Sequence, residues 1–277
     1  MSKYDLSKTL FVSDLDGTLL RSDGRLMPET AEAIGRLTAK GVKFTYATAR
    51  SYHTAMQAAG ELPLELPVIL HNGVFIRDMQ TGEYVVKNLL PNPAAVRLAF
   101  EEHGLSPFVY SVRGERQVYT YLPDRIPPES AAYQATRVND PRDNPIRDES
   151  SLWDGDIFYA LCISNDDRAR LIYERLCSDY NCLYAEDYYS RDKWLEVYSK
   201  EASKASAVIQ LRDLLGCEKT VVFGDGANDI AMFGAADEAY AVSGAVDGLK
   251  SRATAVIGSN DDDAVVKWLE ENVIDLE

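Results

Sequence analysis

Cysteine and histidine are scarce in this chain, which has four cysteines and three histidines among 277 residues. The cysteines, at positions 162, 177, 182 and 217, lack the spacing of a metal or redox pair, so we expect four reduced structural thiols. The histidines are too scattered to form a zinc site. His71 has the most distinctive setting, because it stands at a predicted strand end beside Asn72 and Gly73.

Basic residues are in the minority, and the formal net charge is −15. Binding to nucleic acid depends on clustered lysine and arginine, so this balance argues against a nucleic-acid partner. The same charge means that the protein as a whole repels a phosphate ester. A site for such an anion would therefore need a metal ion and a few cations placed locally.

Long apolar segments are absent as well. The first five residues lack the apolar core of a signal peptide, and no apolar run approaches the roughly 20 residues of a membrane-spanning helix. We therefore expect a cytoplasmic protein with no membrane partner. A hydrophobic fraction of 46% and a charged fraction of 26% are ordinary for a globular chain, and the length permits one or two domains.

The most informative stretch is residues 10–20, an apolar run that ends in two aspartates and a glycine. Such a run predicts a buried strand, with Asp14 at the point where the strand leaves its sheet. Residues two apart in extended chain share a face, so Asp14 and Asp16 are expected to point together beyond the carboxyl end of the strand. Two carboxylates there repel each other unless a proton or a hard cation such as Mg²⁺ lies between them.

Two other interpretations of this stretch are an ordinary loop and a calcium-binding loop. Aspartates and a glycine after a strand are also ordinary loop chemistry, and on local grounds both interpretations stand. A calcium loop would need an oxygen ligand, a glycine and a glutamate at the fifth, sixth and twelfth places. Counting from Asp14, those places hold Thr18, Leu19 and Arg25, so the calcium loop is excluded.

A second strand followed by acids, at residues 220–229, argues against the loop interpretation. In this segment Asp225 and Asp229 are four residues apart. A helix that begins near Gly226 would place both carboxylates on the same side of its first turn. The chain is therefore expected to bring two acidic strand ends to one site.

These segments resemble the motifs of the haloacid dehalogenase superfamily phosphatases, in the Cof-type branch that carries a large inserted cap. The resemblance covers most of the chain. Its four motifs are Asp14-Leu15-Asp16-Gly17-Thr18, Thr48, Lys204, and Gly224-Asp225 through Asn228-Asp229. The chain departs from the branch at Ala49 and Ala205, where glycine is usual, and at Gly244, where asparagine is common.

The resemblance implies chemical roles for the matching residues. Asp14 is implied to be the nucleophile that becomes an aspartyl phosphate, and Asp16 the acid and base. Thr48, Lys204 and Asn228 are implied to bind the phosphoryl oxygens. Lys204 is predicted to lie just before a helix over residues 205–215.

The resemblance also implies a magnesium site. Its ligands would be the carboxylates of Asp14, Asp225 and Asp229 and the main-chain carbonyl of Asp16. Oxygen ligands of this kind suit Mg²⁺.

The element order predicts an α/β core with a Rossmann-like parallel sheet, since strands and helices alternate through the first 70 residues. The first three strand ends are expected to deliver Asp14, Thr48 and Asn72 to one edge. Thr48 has an alternative role as the cap of the helix that begins at Ser51. Arg50 either adds positive charge to the site or faces solvent, so Arg50 and Asn72 are candidate accessory residues.

We predict a core made of residues 1–87 and 199–277, interrupted by an α+β cap over residues 88–198. Two similar halves within the insertion predict an open antiparallel sheet covered by helices on one face. Twelve of the sixteen tyrosines lie between Tyr84 and Tyr198. Their number reflects the preference of tyrosine for strands, or some of them line a pocket that stacks against sugar rings.

Together these observations predict a Mg²⁺-dependent phosphomonoesterase for small phosphorylated metabolites, sugar phosphates first, with an aspartyl phosphate on Asp14. A phosphotransferase or sugar-phosphate mutase would use the same site. A signalling receiver would also carry a phosphorylated aspartate, but it would fit in roughly half this chain and would not need an inserted cap. The expected partner is a small phosphate ester, and the expected assembly is a monomer or weak homodimer.

Overall fold

A computed structural model describes residues 3–114, 116–187 and 190–273. Within these ranges the strands are β1 (Thr9–Ser13), β2 (Lys43–Tyr46), β3 (Val68–Leu70), β4 (Phe75–Arg77), β5 (Tyr84–Lys87), β6 (Phe108–Arg113), β7 (Arg116–Tyr121), β8 (Asp143–Pro145), β9 (Asp156–Ile163), β10 (Asn181–Glu186), β11 (Lys193–Tyr198), β12 (Lys219–Gly224), β13 (Glu238–Ala241) and β14 (Ala255–Val256). The α-helices in the same ranges are α1 (Pro28–Ala39), α2 (Tyr52–Ala59), α3 (Pro93–His103), α4 (Pro128–Ala135), α5 (Asp167–Leu176), α6 (Lys204–Leu214), α7 (Ile230–Ala235), α8 (Asp247–Lys250) and α9 (Ala264–Val273).

The chain divides into two compact units. The first joins the residues up to Lys87 with those from Glu201 onward, and the second is Asn88–Lys200. The predicted insertion, residues 88–198, ends two residues before the second unit does. Among the described residues, every helix is too short or too polar to cross a membrane.

Strand β1 lies in the interior of the main sheet of the first unit, between β12 and β2, because its residues are apolar enough to be buried on both faces. Leu10, Phe11 and Val12 have no exposed surface. In the described chain this sheet has the order β14-β13-β12-β1-β2, and all neighbouring strands are parallel. Because Val12 lies opposite both Val222 and Thr45, the carboxyl ends of β1, β12 and β2 meet at one edge.

Helices cover both faces of this sheet. On one face, Leu10 and Val12 share an apolar core with Leu211 of α6 and Met232 of α7. On the other face, Phe223 of β12 packs edge-on against a tryptophan of α9 at 5.2 Å between ring centroids. The two layers hold the strand ends, and the residues that follow them, in fixed positions.

The third predicted strand differs from expectation. β3 was expected to extend the parallel sheet, but it belongs to a separate antiparallel sheet of order β3-β4-β5. A single parallel bridge between Ala47 and Ile69 links it to the end of β2. Because β3 has three residues and turns back at once into β4, its pairing with β4 replaces most of the pairing with β2.

The second unit is a sheet of order β10-β11-β9-β6-β7-β8 within the described residues. Its neighbouring strands are antiparallel, as predicted for the insertion, except that β8 pairs in parallel with β7. Helices α3 and α5 contribute Phe100 and Ile172 to a core that includes Val109 and Leu195 from the sheet. Neither β8 nor α4 was predicted, because residues 128–145 are rich in polar and turn residues.

Candidate active site

The carboxyl ends of β1 and β12 bring three acidic side chains together. One carboxylate oxygen from each of Asp14, Asp225 and Asp229 lies within 4.8 Å of the others. Lys204 reaches the same group, with its Nζ 2.8 Å from Asp14 Oδ1 and 2.7 Å from Asp229 Oδ1. Four residues that the sequence assigned to one site therefore form one cluster.

This cluster carries more negative than positive charge. Burial raises the pKa of Asp14 and the pKa of Asp225, because a low dielectric disfavours the charged form. Burial by itself lowers the pKa of Lys204, but the carboxylates of Asp14 and Asp229 raise that pKa above its ordinary value. The cluster has three carboxylates and only one ammonium group. Carboxylate oxygens are the ligands that a hard divalent cation prefers, and such a cation would balance the excess negative charge. The aspartates could therefore hold a metal ion.

Asp229 is held by the backbone as well as by Lys204. Its Oδ2 accepts hydrogen bonds from the N–H of Asp225 at 3.1 Å and from that of Gly226 at 3.0 Å. The helix predicted to begin near Gly226 starts instead as a 3₁₀ turn, Ala227–Asp229, that leads into α7. In this tighter turn the Asp229 carboxylate lies over the turn's own N–H groups, which stabilise its negative charge.

Gly17 and Thr18 hold Asp225 from the opposite side. Thr18 Oγ1 donates a hydrogen bond of 2.9 Å to Asp225 Oδ1. Gly17 has φ +71°, and a Cβ there would lie 2.4 Å from Asp225 Oδ2. The glycine of the first motif is therefore required both by its backbone conformation and by the space that Asp225 occupies. No role for Thr18 was predicted.

Lys204 is the first residue of α6, not the residue before it as predicted. Ser203 caps this helix, since its Oγ accepts a hydrogen bond from the N–H of Ser206 at 3.0 Å. Because Lys204 lies at the start of a well-packed helix, its side chain is only 1% exposed. Lys204 is so deeply buried that it keeps its positive charge only because two carboxylates pair with it.

Thr48 is buried at the end of β2. Its Oγ1 accepts a hydrogen bond from the N–H of Arg50 at 3.1 Å. The alternative role as a helix cap is taken by Ser51, which accepts from Thr54 at the start of α2. Among the described residues nothing accepts from the Thr48 hydroxyl, so its hydrogen is available to a ligand.

Asp16 and Arg50 form a bidentate ion pair. Asp16 Oδ1 accepts from Arg50 Nη2 at 2.6 Å, and Asp16 Oδ2 accepts from Arg50 Nε at 2.8 Å. Asp14 contacts Lys204 and Asp16 contacts Arg50, so the two carboxylates that were expected to point together have separate partners. Asp14 and Asp16 both have extended backbone conformations, with φ −69° and ψ 126° at Asp16, and the chain turns at Gly17.

The ion pair and the aspartate cluster still act on each other electrostatically. The hydrogen bonds that Arg50 donates to Asp16 are the main cause of the raised pKa of Arg50, and the negative charge of Asp14 raises that pKa further. The charge of Asp16 in turn adds to the raised pKa of Asp225. Asp16 and Arg50 therefore belong to the same site as the metal-ligand candidates.

The end of β3 is a turn with unusual backbone conformation. His71 and Asn72 have φ values of 49° and 51°, and Gly73 has 97°. Left-handed conformation in a residue other than glycine costs about 1–3 kcal/mol, so two in succession persist only when surrounding contacts hold them. Asn72 Oδ1 accepts a hydrogen bond of 3.3 Å from Asn228 Nδ2. The Asn-Gly pair signals such a turn in the sequence, whereas nothing marks His71 as left-handed.

Comparison with known proteins identifies a family for the chain. A family model of haloacid dehalogenase-like hydrolases matches residues 11–269. The chain belongs to this family. The predicted family, enzyme class and fold class are confirmed.

Relatives of this haloacid dehalogenase-like hydrolase are named phosphatases. It is 27% identical over 282 residues to a 5-amino-6-(5-phospho-D-ribitylamino)uracil phosphatase of Bacillus subtilis, covering 93% of this chain and 96% of that protein. It is 25% identical over 283 residues to a pyridoxal phosphate phosphatase of Escherichia coli, covering 94% and 97%. A haloacid dehalogenase-like hydrolase from Bacteroides thetaiotaomicron has the same fold, with a TM-score of 0.75 at 20% identity, covering 95% of this chain and 99% of that one.

Three tyrosines of the hydrolase's second unit form a ladder across its sheet. Tyr110 pairs with Tyr159, and Tyr159 pairs with Tyr198, on the neighbouring strands β6, β9 and β11. Their ring centroids are 5.1 Å and 6.1 Å apart. Because Val109 and Val197, their strand neighbours, pack in the core with α3 and α5, the ladder lies on the opposite face. The idea that tyrosines stack against sugar rings stays a prediction.

Glu196 lies on the same face of the sheet, and no sequence motif marks it. Burial raises the pKa of Glu196, while a hydrogen bond from Tyr159 opposes that rise. No ion pair in the described part of the chain includes Glu196. A partly buried carboxylate without a cationic partner is costly, which makes Glu196 a candidate contact for a ligand with N–H or O–H donors.

Proposed function

We propose that the chain is a Mg²⁺-dependent phosphomonoesterase for small phosphorylated metabolites, acting through an aspartyl phosphate on Asp14. The observation that carries the proposal is the cluster of Asp14, Asp225 and Asp229 around the buried Lys204. A nucleophilic carboxylate beside a metal site and a fixed cation is what attack on a phosphate dianion needs. The phosphatase names of the relatives support the same reaction.

The metal ligands in this proposal are the carboxylates of Asp14, Asp225 and Asp229 and the main-chain carbonyl of Asp16. When bound there, Mg²⁺ would neutralise charge on the phosphoryl oxygens. Lys204, already charged beside Asp14, would take part of the remaining charge.

Asp14 is held in an orientation suited to attack. Its Oδ1 accepts from the N–H of Leu15 at 2.7 Å and contacts Lys204 Nζ at 2.8 Å. Among the described residues Oδ2 has no partner, and we assign it as the attacking atom. Its bond to phosphorus forms as the ester P–O bond breaks. The Thr48 hydroxyl and the Asn228 amide would donate to the phosphoryl oxygens.

Asp16 would give its proton to the leaving oxygen and later take one from the water that hydrolyses the aspartyl phosphate. Arg50 donates to both oxygens of Asp16. We propose that Asp16 separates from Arg50 when it gives its proton to the leaving oxygen. The side chain of Asp16 is 51% exposed, so the surrounding protein does not oppose this movement.

Sugar phosphates are our first choice of substrate, and a panel of phosphate esters tests the choice together with the reaction. Sugar phosphates, nucleotides and cofactor phosphates would be incubated with the protein and Mg²⁺, and inorganic phosphate measured. Released phosphate supports hydrolysis. An isomerised sugar phosphate without released phosphate would identify a mutase instead.

The proposal also covers the cellular location, the assembly state and the partners of the enzyme. We propose a cytoplasmic monomer or weak homodimer that binds neither nucleic acid nor membranes, since the formal net charge is −15. Sedimentation at micromolar concentration would measure the assembly state.

Removal of divalent cations should abolish phosphate release, because three carboxylates cannot bind a phosphate dianion without added positive charge. We expect Mg²⁺ to restore activity better than Ca²⁺, which is larger and prefers a looser coordination shell. We also expect Mg²⁺ to raise the melting temperature of the wild type but not of Asp225→Asn, since a ligand that binds the folded state stabilises it. The surface variant Asp213→Asn serves as the control. Full activity in excess chelator contradicts the proposal.

We propose that the second unit distinguishes one ester from another, and Glu196→Gln tests this. The variant keeps the size and shape of the side chain but removes its negative charge from the sheet of the second unit. We expect kcat/KM for the best substrate of the panel to fall about tenfold, with little change for an aryl phosphate. Glu186→Gln on β10, whose carboxylate pairs with Arg191 at the surface, is the matched control. Equal losses for both esters would show that Glu196 has no part in selectivity.

A further inference from the structure

We infer that Asn72 is a positioning residue, which acts on the phosphoryl group through Asn228, and that the left-handed turn His71-Asn72-Gly73 holds it in place. The inference rests on the proposed function. It assigns a role to Asn72, which belongs to none of the four motifs. Its basis is the set of contacts that this turn makes with three separate parts of the site.

The first contact joins the turn to the segment after β2. The N–H of Asn72 donates to the carbonyl of Thr48 at 2.9 Å, and the N–H of His71 donates to the carbonyl of Arg50 at 3.0 Å. Both hydrogen bonds depend on the direction of the backbone at 71 and 72, which the left-handed conformation sets. The turn and the backbone that carries Thr48 are therefore fixed relative to each other.

The second contact joins the turn to the segment that carries Lys204. Gly73 has φ +97°, and a Cβ on it would lie 2.2 Å from the carbonyl oxygen of Ser203. Such an approach is open only to glycine. Because Ser203 caps α6 and Lys204 is its first residue, the turn packs directly against the backbone that positions the lysine.

The third contact is made by the Asn72 side chain. Asn228 is exposed, in the 3₁₀ turn between Asp225 and Asp229. An exposed amide rotates freely unless something holds it, and Asn72 Oδ1 accepts one of its two N–H groups at 3.3 Å. The second N–H of Asn228 is then directed and remains for a ligand.

Asparagine suits position 72 for two separate reasons, and two variants distinguish them. Asparagine tolerates the left-handed conformation, and its amide oxygen accepts from Asn228. Asn72→Gly keeps the conformation and removes the amide, whereas Asn72→Ala removes both. Asn139 provides a matched control, because it is an exposed left-handed asparagine of the second unit with φ 60°.

The test is a double-mutant cycle on the full chain with the variants Asn72→Gly, Asn228→Ala and the two combined. We expect Asn72→Gly to lower kcat/KM by roughly ten- to a hundredfold, the cost of a misplaced contact at a reacting group. The double variant should be no worse than Asn228→Ala, since the two residues act through one contact. The dissociation constant of inorganic phosphate should show the same dependence. Asn139→Gly should match the wild type in both measurements.

Stability measurements separate positioning from folding. Asn72→Gly should melt no lower than the wild type, because glycine adopts the left-handed conformation without strain, whereas Asn72→Ala should melt lower. If the losses of Asn72→Gly and Asn228→Ala multiply in the double variant, or if Asn72→Gly behaves as wild type, the inference is wrong and the proposed function is unaffected. If the wild type neither hydrolyses esters nor binds phosphate, the proposed function fails first.

Discussion

Replacing Asp14 by asparagine should reduce phosphate release to background with every ester, a loss on the order of 10⁶-fold, as expected when a covalent nucleophile is removed. An amide oxygen does not form a stable bond to phosphorus, so no labelled phosphate should remain on the protein. The neighbouring Lys204 keeps its contact with Asp229, which preserves the rest of the cluster. The measurement is phosphate release together with trapping of radiolabel on the acid-quenched protein.

Unfolding is not expected to explain this loss. Burial already disfavours the charged form of Asp14, so a neutral side chain of the same shape removes a desolvation cost from the metal-free protein. We expect Asp14→Asn without metal to melt at or above the temperature of the wild type. Asp14→Ala guards against slow deamidation of the asparagine. Residual turnover in Asp14→Ala above one per cent of wild type would exclude Asp14 as the nucleophile.

Asp16→Asn should separate the two steps of the reaction. The variant keeps the nucleophile but lacks a proton donor whose contribution is typically about 10²–10⁴-fold. An aryl phosphate, whose leaving group departs without a proton, should still phosphorylate Asp14, whereas a sugar phosphate should react far more slowly. The second step also lacks its base. We therefore expect a single burst of phenol from the aryl ester, followed by a stall with labelled phosphate on Asp14.

The ion pair with Arg50 requires its own control, because asparagine at position 16 also breaks that pair. Arg50→Ala releases Asp16 but leaves its carboxyl group, so steady turnover without a stall is expected from this variant whatever happens to its KM. If Asp16→Asn turns over steadily with no trapped label, or slows equally with both esters, the acid and base assignment is wrong. A stall in both variants would assign the effect to the ion pair.

The sequence predicts the centre of the site well because that part of the fold follows from strand ends. Apolar runs that end in acids place Asp14 and Asp225 at the edge of a parallel sheet, and the register of β1 with β12 brings them together. Lys204 completes the cluster, although its position at the start of α6 required the resemblance to a family. Local pattern and motif agree at these positions.

Contacts that depend on a few backbone dihedrals were not predictable. Asp16 contacts Arg50 whereas Asp14 contacts Lys204, and no local pattern in the sequence distinguishes these partners. The pairing of β3 with β4 likewise follows a turn with two left-handed residues, His71 and Asn72, and only Asn72 is signalled by the sequence. Glu196 belongs to no motif, and its environment arises from pairing between distant strands.

The position of β1 between β2 and β12 has a consequence for how the protein is made. One edge of β1 pairs with β2 soon after synthesis, but the other edge pairs with β12, which follows by roughly 210 positions. At a translation rate of about 5–20 residues per second, that edge stays open for on the order of ten to forty seconds. Asn88–Lys200 is continuous in the chain and can complete its own sheet during this interval. The first unit is therefore the last to assemble, and the unpaired edge of β1 is open to aggregation during this interval.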